Sequence, residues 1–180
     1  VAQIIFLHGA SSSGKSAMAR ALQQQIEAPF WHLSIDHLRD AGVFPMARYR
    51  AEDFDWQSDR SAIFDGFHKS AAACADAGNN LILEHILDTP GWADDLKSCL
   101  ESHDVLFVAV QCPVSILIER ERLRGDRPLG SAAQDQARIH EDRIYDLEVN
   151  ATDDVATNVD RILIAWRSGQ RRSEFSPGMT

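Results

Sequence analysis

Gly9-Ala10-Ser11-Ser12-Ser13-Gly14-Lys15-Ser16 is the stretch on which the fold of this chain turns. It fits the pattern G-x-x-x-x-G-K-[ST], which by itself occurs in many unrelated sequences. Its context makes it specific. Ile4 to Leu7, just before it, is a short and wholly apolar run, as expected of a parallel strand buried on both faces. Ser16 to Ile26, just after it, carries Met18, Leu22 and Ile26 at helical spacing. A strand, a glycine-bounded loop and a helix in that order form a nucleotide-phosphate site. Gly9 and Gly14 are expected to supply backbone angles that a Cβ resists. The loop can then turn successive N–H groups onto phosphate oxygens, and the helix adds its unpaired N–H groups and positive dipole end. Every residue from Gly9 to Ser16 is therefore a candidate contact for the phosphates of a nucleotide. Lys15 is expected to face the β- and γ-phosphates rather than to pack, and the Ser16 hydroxyl to take a place on Mg²⁺.

Working outward, strand and helix alternate. Trp31 to Ile35 reads as a second strand ending at Asp36, and Leu81 to Leu83 as a third ending at Glu84. Val105 to Val110 is the strongest strand signal, and Leu147 to Val149 the last. Helices are expected over Ser58 to Ala77, Trp92 to Leu100, Pro113 to about Leu123, Ser131 to His140 and Val155 to Trp166. Such alternation means an α/β domain of three layers, a five-stranded parallel sheet with helices on both faces. Residues 1–168 form one domain in this reading, with a short lid at about 120–130 and an aromatic, irregular insert at about 42–57. The tail, 169–180, is polar and reads as a frayed end.

Composition sets the outer limits. The chain has 180 residues, 44% hydrophobic and 25% charged, which excludes disorder, collagen and a disulfide scaffold. A net charge of −9 argues against nucleic acid or an anionic membrane as the main partner. Any anionic ligand must then meet a local cluster of cations, and Lys15, Lys69 and Lys97 are the only lysines. Cys74, Cys99 and Cys112 are widely spaced in apolar surroundings and read as reduced, buried thiols. No apolar run reaches the about 18 residues of a membrane span. The first residues enter directly into a strand with no basic leader, so a cytoplasmic protein is expected. A homo-oligomer is compatible with everything in the sequence.

Asp36 and Glu84 stand at the edge where α/β sheets place their ligands. Glu84 suits the acid that orients Mg²⁺ through water, and Asp36 faces the γ-phosphate with room for an acceptor hydroxyl between. Either acid could instead cap the following helix. Arg120 and Arg124 share a helix face, Gly125 breaks that helix, and Arg127 lies in the loop beyond. A mobile loop bearing Arg124 and Arg127 is what a phosphoryl-transfer lid requires. Phe44, Met46, Tyr49, Phe54 and Trp56 could form an apolar acceptor pocket, and Arg48 and Arg50 in the same insert would favour an anionic acceptor if they faced it. His37 and His85 stand beside the site, His85 within reach of the acceptor. No H-x-x-x-H or H-E-x-x-H pattern occurs, so no transition metal held by the protein is expected. Asp88-Thr89-Pro90-Gly91 matches the D-x-x-G switch of GTPases. No N-K-x-D guanine motif accompanies it, and it reads better as a turn into the next helix.

The phosphate loop, Asp36, the Arg120-to-Arg127 R-x-x-x-R-G-D-R segment and Tyr145-Asp146-Leu147-Glu148-Val149-Asn150 together resemble the chloramphenicol phosphotransferase family. That family belongs with the adenylate-kinase-like and shikimate-kinase-like small-molecule kinases. The resemblance covers the chain from Ile4 to about Trp166. It implies transfer of the γ-phosphoryl of ATP to a small-molecule hydroxyl, with chloramphenicol as the leading acceptor and a shikimate-like acid or a sugar as the alternative. It makes Asp36 the base for that hydroxyl and Arg120, Arg124 and Arg127 the lid arginines. It sets the adenine against Arg120 and the loop around Thr152 and Asp153. The sequence departs from the family at Glu84-His85, where two acids are expected, and across the insert. A nucleotide-binding switch with no acceptor is the reading from another class.

Overall fold

A computed structural model of the chain describes residues 1–124 and 131–176, apart from the side chains at 124, 131–133 and 137. In chain order the elements are β1 (Gln3–His8), α1 (Lys15–Gln25), β2 (Phe30–Ser34), α2 (Ile35–Asp40), α3 (Met46–Arg50), α4 (Trp56–Asp76), β3 (Asn80–His85), α5 (Trp92–Leu100), β4 (Asp104–Gln111), α6 (Val114–Arg124), α7 (Ser131–Arg138), β5 (Leu147–Asn150) and α8 (Val155–Ser168). The five strands pair in parallel in the order β2-β3-β1-β4-β5. This is the expected three-layer α/β architecture.

Side chains alternate across a strand, so a central strand serves two cores at once. Ile4 and Phe6 of β1 face a core built with Phe64, Phe67 and Ala71 of α4 and Leu96 of α5. Ile5 and Leu7 face a second core with Met18 and Leu22 of α1 and Ile162 of α8. That is why the strand sequence is apolar at every position. From β1 the chain moves to β2 on one side of the sheet and later to β4 and β5 on the other. The loop after β1 therefore lies at the topological switch point, where open α/β sheets bind ligands.

Three local readings need correction. β2 stops at Ser34, whose hydroxyl accepts the Asp36 N–H at 3.3 Å and caps α2. Asp36 therefore sits in the first turn of a helix, two residues past the strand end. The insert is not wholly irregular: it contains α3, and Trp56 opens α4 behind an Asp55 cap that accepts the Gln57 N–H at 2.9 Å. The tail is not frayed through Ser176. Phe175 is buried in the first core, its ring 4.6 Å from Phe107 and 5.3 Å from Phe6. Arg171 Nε lies 2.8 Å from the Asp104 carboxylate, and the Ser173 N–H donates to Asp146 at 2.9 Å. Of the three free thiols, Cys112 is buried, whereas Cys74 and Cys99 are half-buried. Among the described residues no helix is long and apolar enough to cross a membrane.

Candidate active site

The two glycines of the phosphate loop are needed for different reasons. Gly14 has φ 101°, the left-handed region expected of it, and begins α1 with no side-chain cap. The first N–H groups of α1 thus have no capping side chain, and no acid occupies the first turn to repel an anion. Gly9 does not adopt a positive φ; a Cβ there would lie 2.6 Å from the Val110 carbonyl oxygen. Close approach of β4, not backbone angle, demands glycine at this position. Ser12 does adopt the left-handed region, at φ 62°.

Lys15 overturns its expected exposure. It is 7% exposed, and its ammonium donates to the Gly9 and Ala10 carbonyls, each at 2.7 Å. The lysine laces the loop together from inside. A phosphate arriving at the loop meets a cation that is already buried and oriented.

Ser16 and Glu84 come together as anticipated: the hydroxyl donates to Oε2 at 2.8 Å. Glu84 is the penultimate residue of the buried strand β3, and Oε1 is taken by His32 Nε2 from edge strand β2. Burial alone would push the Glu84 carboxyl up; the hydrogen bonds from His32 and Ser16 outweigh it and hold the group below the usual carboxylate range. A hydroxyl oxygen and an ionised carboxylate, side by side at the loop, fit Mg²⁺, which takes few protein oxygens and keeps its waters.

One cavity of about 830 Å³ connects these groups to the insert. Ser11, Ser12, Gly14, Lys15, Ser16 and Glu84 line its phosphate end; Asp36, Phe44, Met46 and Trp56 line the other. The predicted aromatic set is split by the structure. Tyr49 and Phe54 do not line the cavity: their rings pack on each other at 5.7 Å, the Tyr49 hydroxyl donates to Asp59, and Arg48 lies 4.0 Å over Phe54. Arg48 also reaches Asp53 at 3.1 Å, whereas Arg50 opens onto the cavity. Asp36 is half-exposed on the cavity wall, with Arg39 Nη1 2.8 Å from its carboxylate. His85 lines the floor, but it is 3% exposed and stacked on Phe64 and Trp92, with Nε2 2.9 Å from His68 Nε2. Burial drives its pKa well below the ordinary value, so it is a neutral ring on a packed floor.

Sequence reasoning missed Arg60. Its guanidinium lies 4.5 Å over Trp92, binds both Asp88 oxygens at 2.7 and 2.9 Å and donates to Thr89 at 2.7 Å, with Arg60 and Asp88 themselves on the cavity wall. The partners are 28 and 29 positions away, a pairing no local pattern reveals. This contact gives Asp88 its role, and Gly91 at φ 89° begins α5, as the turn reading expects.

Arg120 Nη1 donates to the Ser12 carbonyl of the phosphate loop at 3.1 Å. The Thr152 hydroxyl and N–H both turn onto Asn150, at 2.9 and 3.0 Å, and Asp153 pairs with Arg161 at 3.7 Å. Neither Arg120 nor this loop lines the described cavity. Arg127 and the Arg124 side chain, which the sequence reading expects to be lid cations, lie outside the described residues.

Behind the loop runs a buried chain that the sequence did not suggest. The Leu87 N–H donates to His8 Nε2 at 3.1 Å, so that nitrogen carries no proton. The His8 proton is then on Nδ1 and points to the Tyr145 hydroxyl at 2.8 Å. Tyr145 in turn donates to His140 Nδ1 at 2.7 Å. Burial lowers His8 well below the ordinary range and His140 to about 4, while it raises Tyr145. All three groups are neutral at pH 7, and they tie β1, just ahead of Gly9, to the segment after α7.

Comparison with known proteins agrees with this geometry. Two solved kinases share the fold: the Mycobacterium tuberculosis APS kinase, in complex with AMPPNP and APS, at TM-score 0.66 and 18% identity over 92% of this chain and 98% of that one; and the Aquifex aeolicus shikimate kinase at TM-score 0.62 and 16% identity over 92% and 96%. A Mycobacterium tuberculosis protein provisionally named an O-phosphotransferase is 28% identical over 171 residues, 83% of this chain and 75% of the relative. Residues 2–166 match the family described as chloramphenicol phosphotransferase-like protein. A phosphate loop at the switch point and a cavity leading from it to an aspartate belong to a small-molecule kinase, and the chain is a member of the chloramphenicol phosphotransferase-like family.

Proposed function

We propose that the chain moves the γ-phosphoryl group of ATP to a hydroxyl of a small molecule held between Asp36 and the insert. The observation that supports this is the single cavity shared by the phosphate loop, Asp36, Phe44, Met46 and Trp56. In this reading the acceptor oxygen attacks the γ-phosphorus as the Asp36 carboxylate takes its proton. The bond from that phosphorus to the β-bridging oxygen breaks, and ADP leaves. Lys15 and the loop N–H groups hold the phosphates. Ser16 and Glu84 would hold Mg²⁺, which neutralises phosphate charge when bound, with Glu84 acting through water. Arg124 and Arg127 are the lid cations, and Arg120, Thr152 and Asp153 flank the adenine. The chemistry is assigned to the cytoplasm, where thiols such as Cys112 stay reduced.

Chloramphenicol is the acceptor that family membership suggests, and Phe44, Met46 and Trp56 offer it an apolar wall. Arg50 favours a second reading. It faces the cavity, while Arg39 is paired with Asp36 and Asp40 and Arg60 with Asp88. That arrangement suits an acceptor with a carboxylate or phosphate beside its hydroxyl, such as a shikimate-like acid or a sugar phosphate. Acceptor-stimulated ADP release, with Mg·ATP and a panel of chloramphenicol, hydroxy acids, sugars and sugar phosphates, separates the readings. Stimulation by chloramphenicol alone supports the neutral acceptor, stimulation by acids or phosphates alone supports Arg50 as its anchor, and slow release that nothing stimulates removes the kinase proposal.

A further inference from the structure

His32, His37 and Glu84 converge although nothing in the sequence spacing announces it. Ser34 of β2 lies opposite Glu84 of β3 in the sheet register. His32, two residues earlier, projects from the same face of β2 as Ser34 and reaches Glu84 Oε1 through Nε2. His37 comes from the next element, α2, and its ring stands edge-on to that of His32 with centroids 4.4 Å apart. One ligand atom from each of the three residues lies within 4.8 Å of the others. Glu84 is 4% exposed and the His32 side chain 7%, so two donors are fixed by burial, while His37 is exposed and able to swing inward.

Donor chemistry decides which ion such a trio suits. Two imidazole nitrogens and a carboxylate oxygen are the set that holds Zn²⁺ in many catalytic sites, whereas Mg²⁺ selects oxygen donors and water. We propose that His32, His37 and Glu84 form a binding site for a divalent transition-metal ion of the Zn²⁺ or Co²⁺ class, distinct in donor type from the oxygen pair of Ser16 and Glu84. The ion takes the place of the proton between His32 Nε2 and Glu84, and that proton moves to Nδ1 or to solvent. The two sites share one carboxylate: Glu84 Oε2 is the acceptor for the Ser16 hydroxyl at 2.8 Å. A transition metal on the histidine side therefore draws Glu84 away from Ser16 and weakens Mg·nucleotide binding. This competition rests on the phosphotransferase reading; metal binding in the nucleotide-free protein does not.

Untagged, nucleotide-free protein is titrated with Co²⁺ and followed by visible absorption, with Zn²⁺ titration calorimetry alongside. The expected result is one ion per chain, ligand-field bands of nitrogen and oxygen ligation, and no thiolate charge-transfer band. His37→Ala leaves the folded protein intact, because the residue is exposed, and should weaken Co²⁺ binding about tenfold or more, since even outer partners of metal ligands are worth about 10–100-fold. His32→Asn should weaken it likewise. Co²⁺ affinity unchanged in His37→Ala, or a spectrum dominated by thiolate from Cys74 or Cys99, would overturn the site. Zn²⁺ binding that leaves Mg·ATP affinity unaltered would overturn the sharing of Glu84 alone.

Discussion

At the phosphate end of the cavity the ligand-facing groups are backbone N–H groups and buried side chains, with Lys15 and Glu84 held by the loop and by β3. At the proposed acceptor end they are half-exposed or exposed side chains on α2, α3, the loop between them and the start of α4: Asp36, Phe44, Met46, Arg50 and Trp56. The first end is built into the sheet, so altering it disturbs the loop as well as the ligand. The second hangs on two helices of six and five residues, so its side chains can change with little cost to the fold. Phosphoryl donation is thus a property of the architecture, and acceptor choice a property of a few side chains.

The largest expected effect lies at the phosphate end. Lys15→Met removes both the phosphate cation and the contacts to the Gly9 and Ala10 carbonyls. Turnover should fall by about 10³-fold or more, the scale of lost charge stabilisation in related phosphoryl transfer. Nucleotide affinity should fall with it, because the loop loses its internal tie. A variant that binds and turns over ATP normally would end the comparison.

Asp36→Asn is the counterpart at the acceptor end. It keeps the shape and loses the proton acceptor, so kcat should fall by about 10²–10⁴-fold. Nucleotide affinity measured by titration should hold. If ATP binding collapses while acceptor turnover persists, Asp36 belongs to the phosphate end instead.

The asymmetry also explains what could be read from the chain. Val105 to Val110 and the residues around Gly9 were legible because burial on both faces leaves a continuous apolar run, and a phosphate cradle needs fixed residue types at fixed spacing. Ser16 and Glu84 meet because one lies in the first turn of α1 and the other near the end of β3, beside β1 in the sheet. The insert was opaque: a five-residue helix has too few turns for periodicity to show, and the division of Phe44 from Phe54 depends on which way a short segment faces. Arg60, Phe175 and the His8–Tyr145–His140 chain rest on contacts between distant positions, which a one-dimensional pattern does not carry. Lys15 shows the converse, a residue found by its motif but misjudged in its packing.

Smaller effects sharpen the contrast. Arg50→Ala should raise KM for an anionic acceptor by about 10–100-fold, the value of one charge-assisted hydrogen bond, and leave the melting temperature unchanged. Equal KM values would return the acceptor to the neutral class. Gly9→Ala should instead cost about 1–3 kcal/mol of stability, as overpacking does, because its Cβ meets the Val110 carbonyl oxygen at 2.6 Å. An unchanged denaturation midpoint would show that β4 yields there without cost.

The smallest effect concerns pH. Burial lowers His140 from its ordinary value of 6.5 to about 4, and lowers His8 as well. The unfolded chain takes up the His140 proton as pH falls through 6.5, while the folded chain resists until about 4. The stabilising contribution is therefore fully present above pH 6.5 and is lost progressively as pH falls towards 4. Urea unfolding across that window should show a slope that His140→Gln reduces; identical slopes would mean that His140 does not hold its neutral form in the fold.

Phosphoryl transfer itself is tested most directly by following the γ-phosphoryl group. The protein is incubated with ATP labelled at that group, Mg²⁺ and the acceptor that most stimulates ADP release, and the small-molecule fraction is examined by mass spectrometry. The account predicts an acceptor heavier by one labelled phosphoryl group, formed in step with ADP and strongly reduced in Asp36→Asn. Nucleotide bound at the loop, with no label on any acceptor and ADP release that no small molecule changes, would contradict it and leave a nucleotide-binding switch.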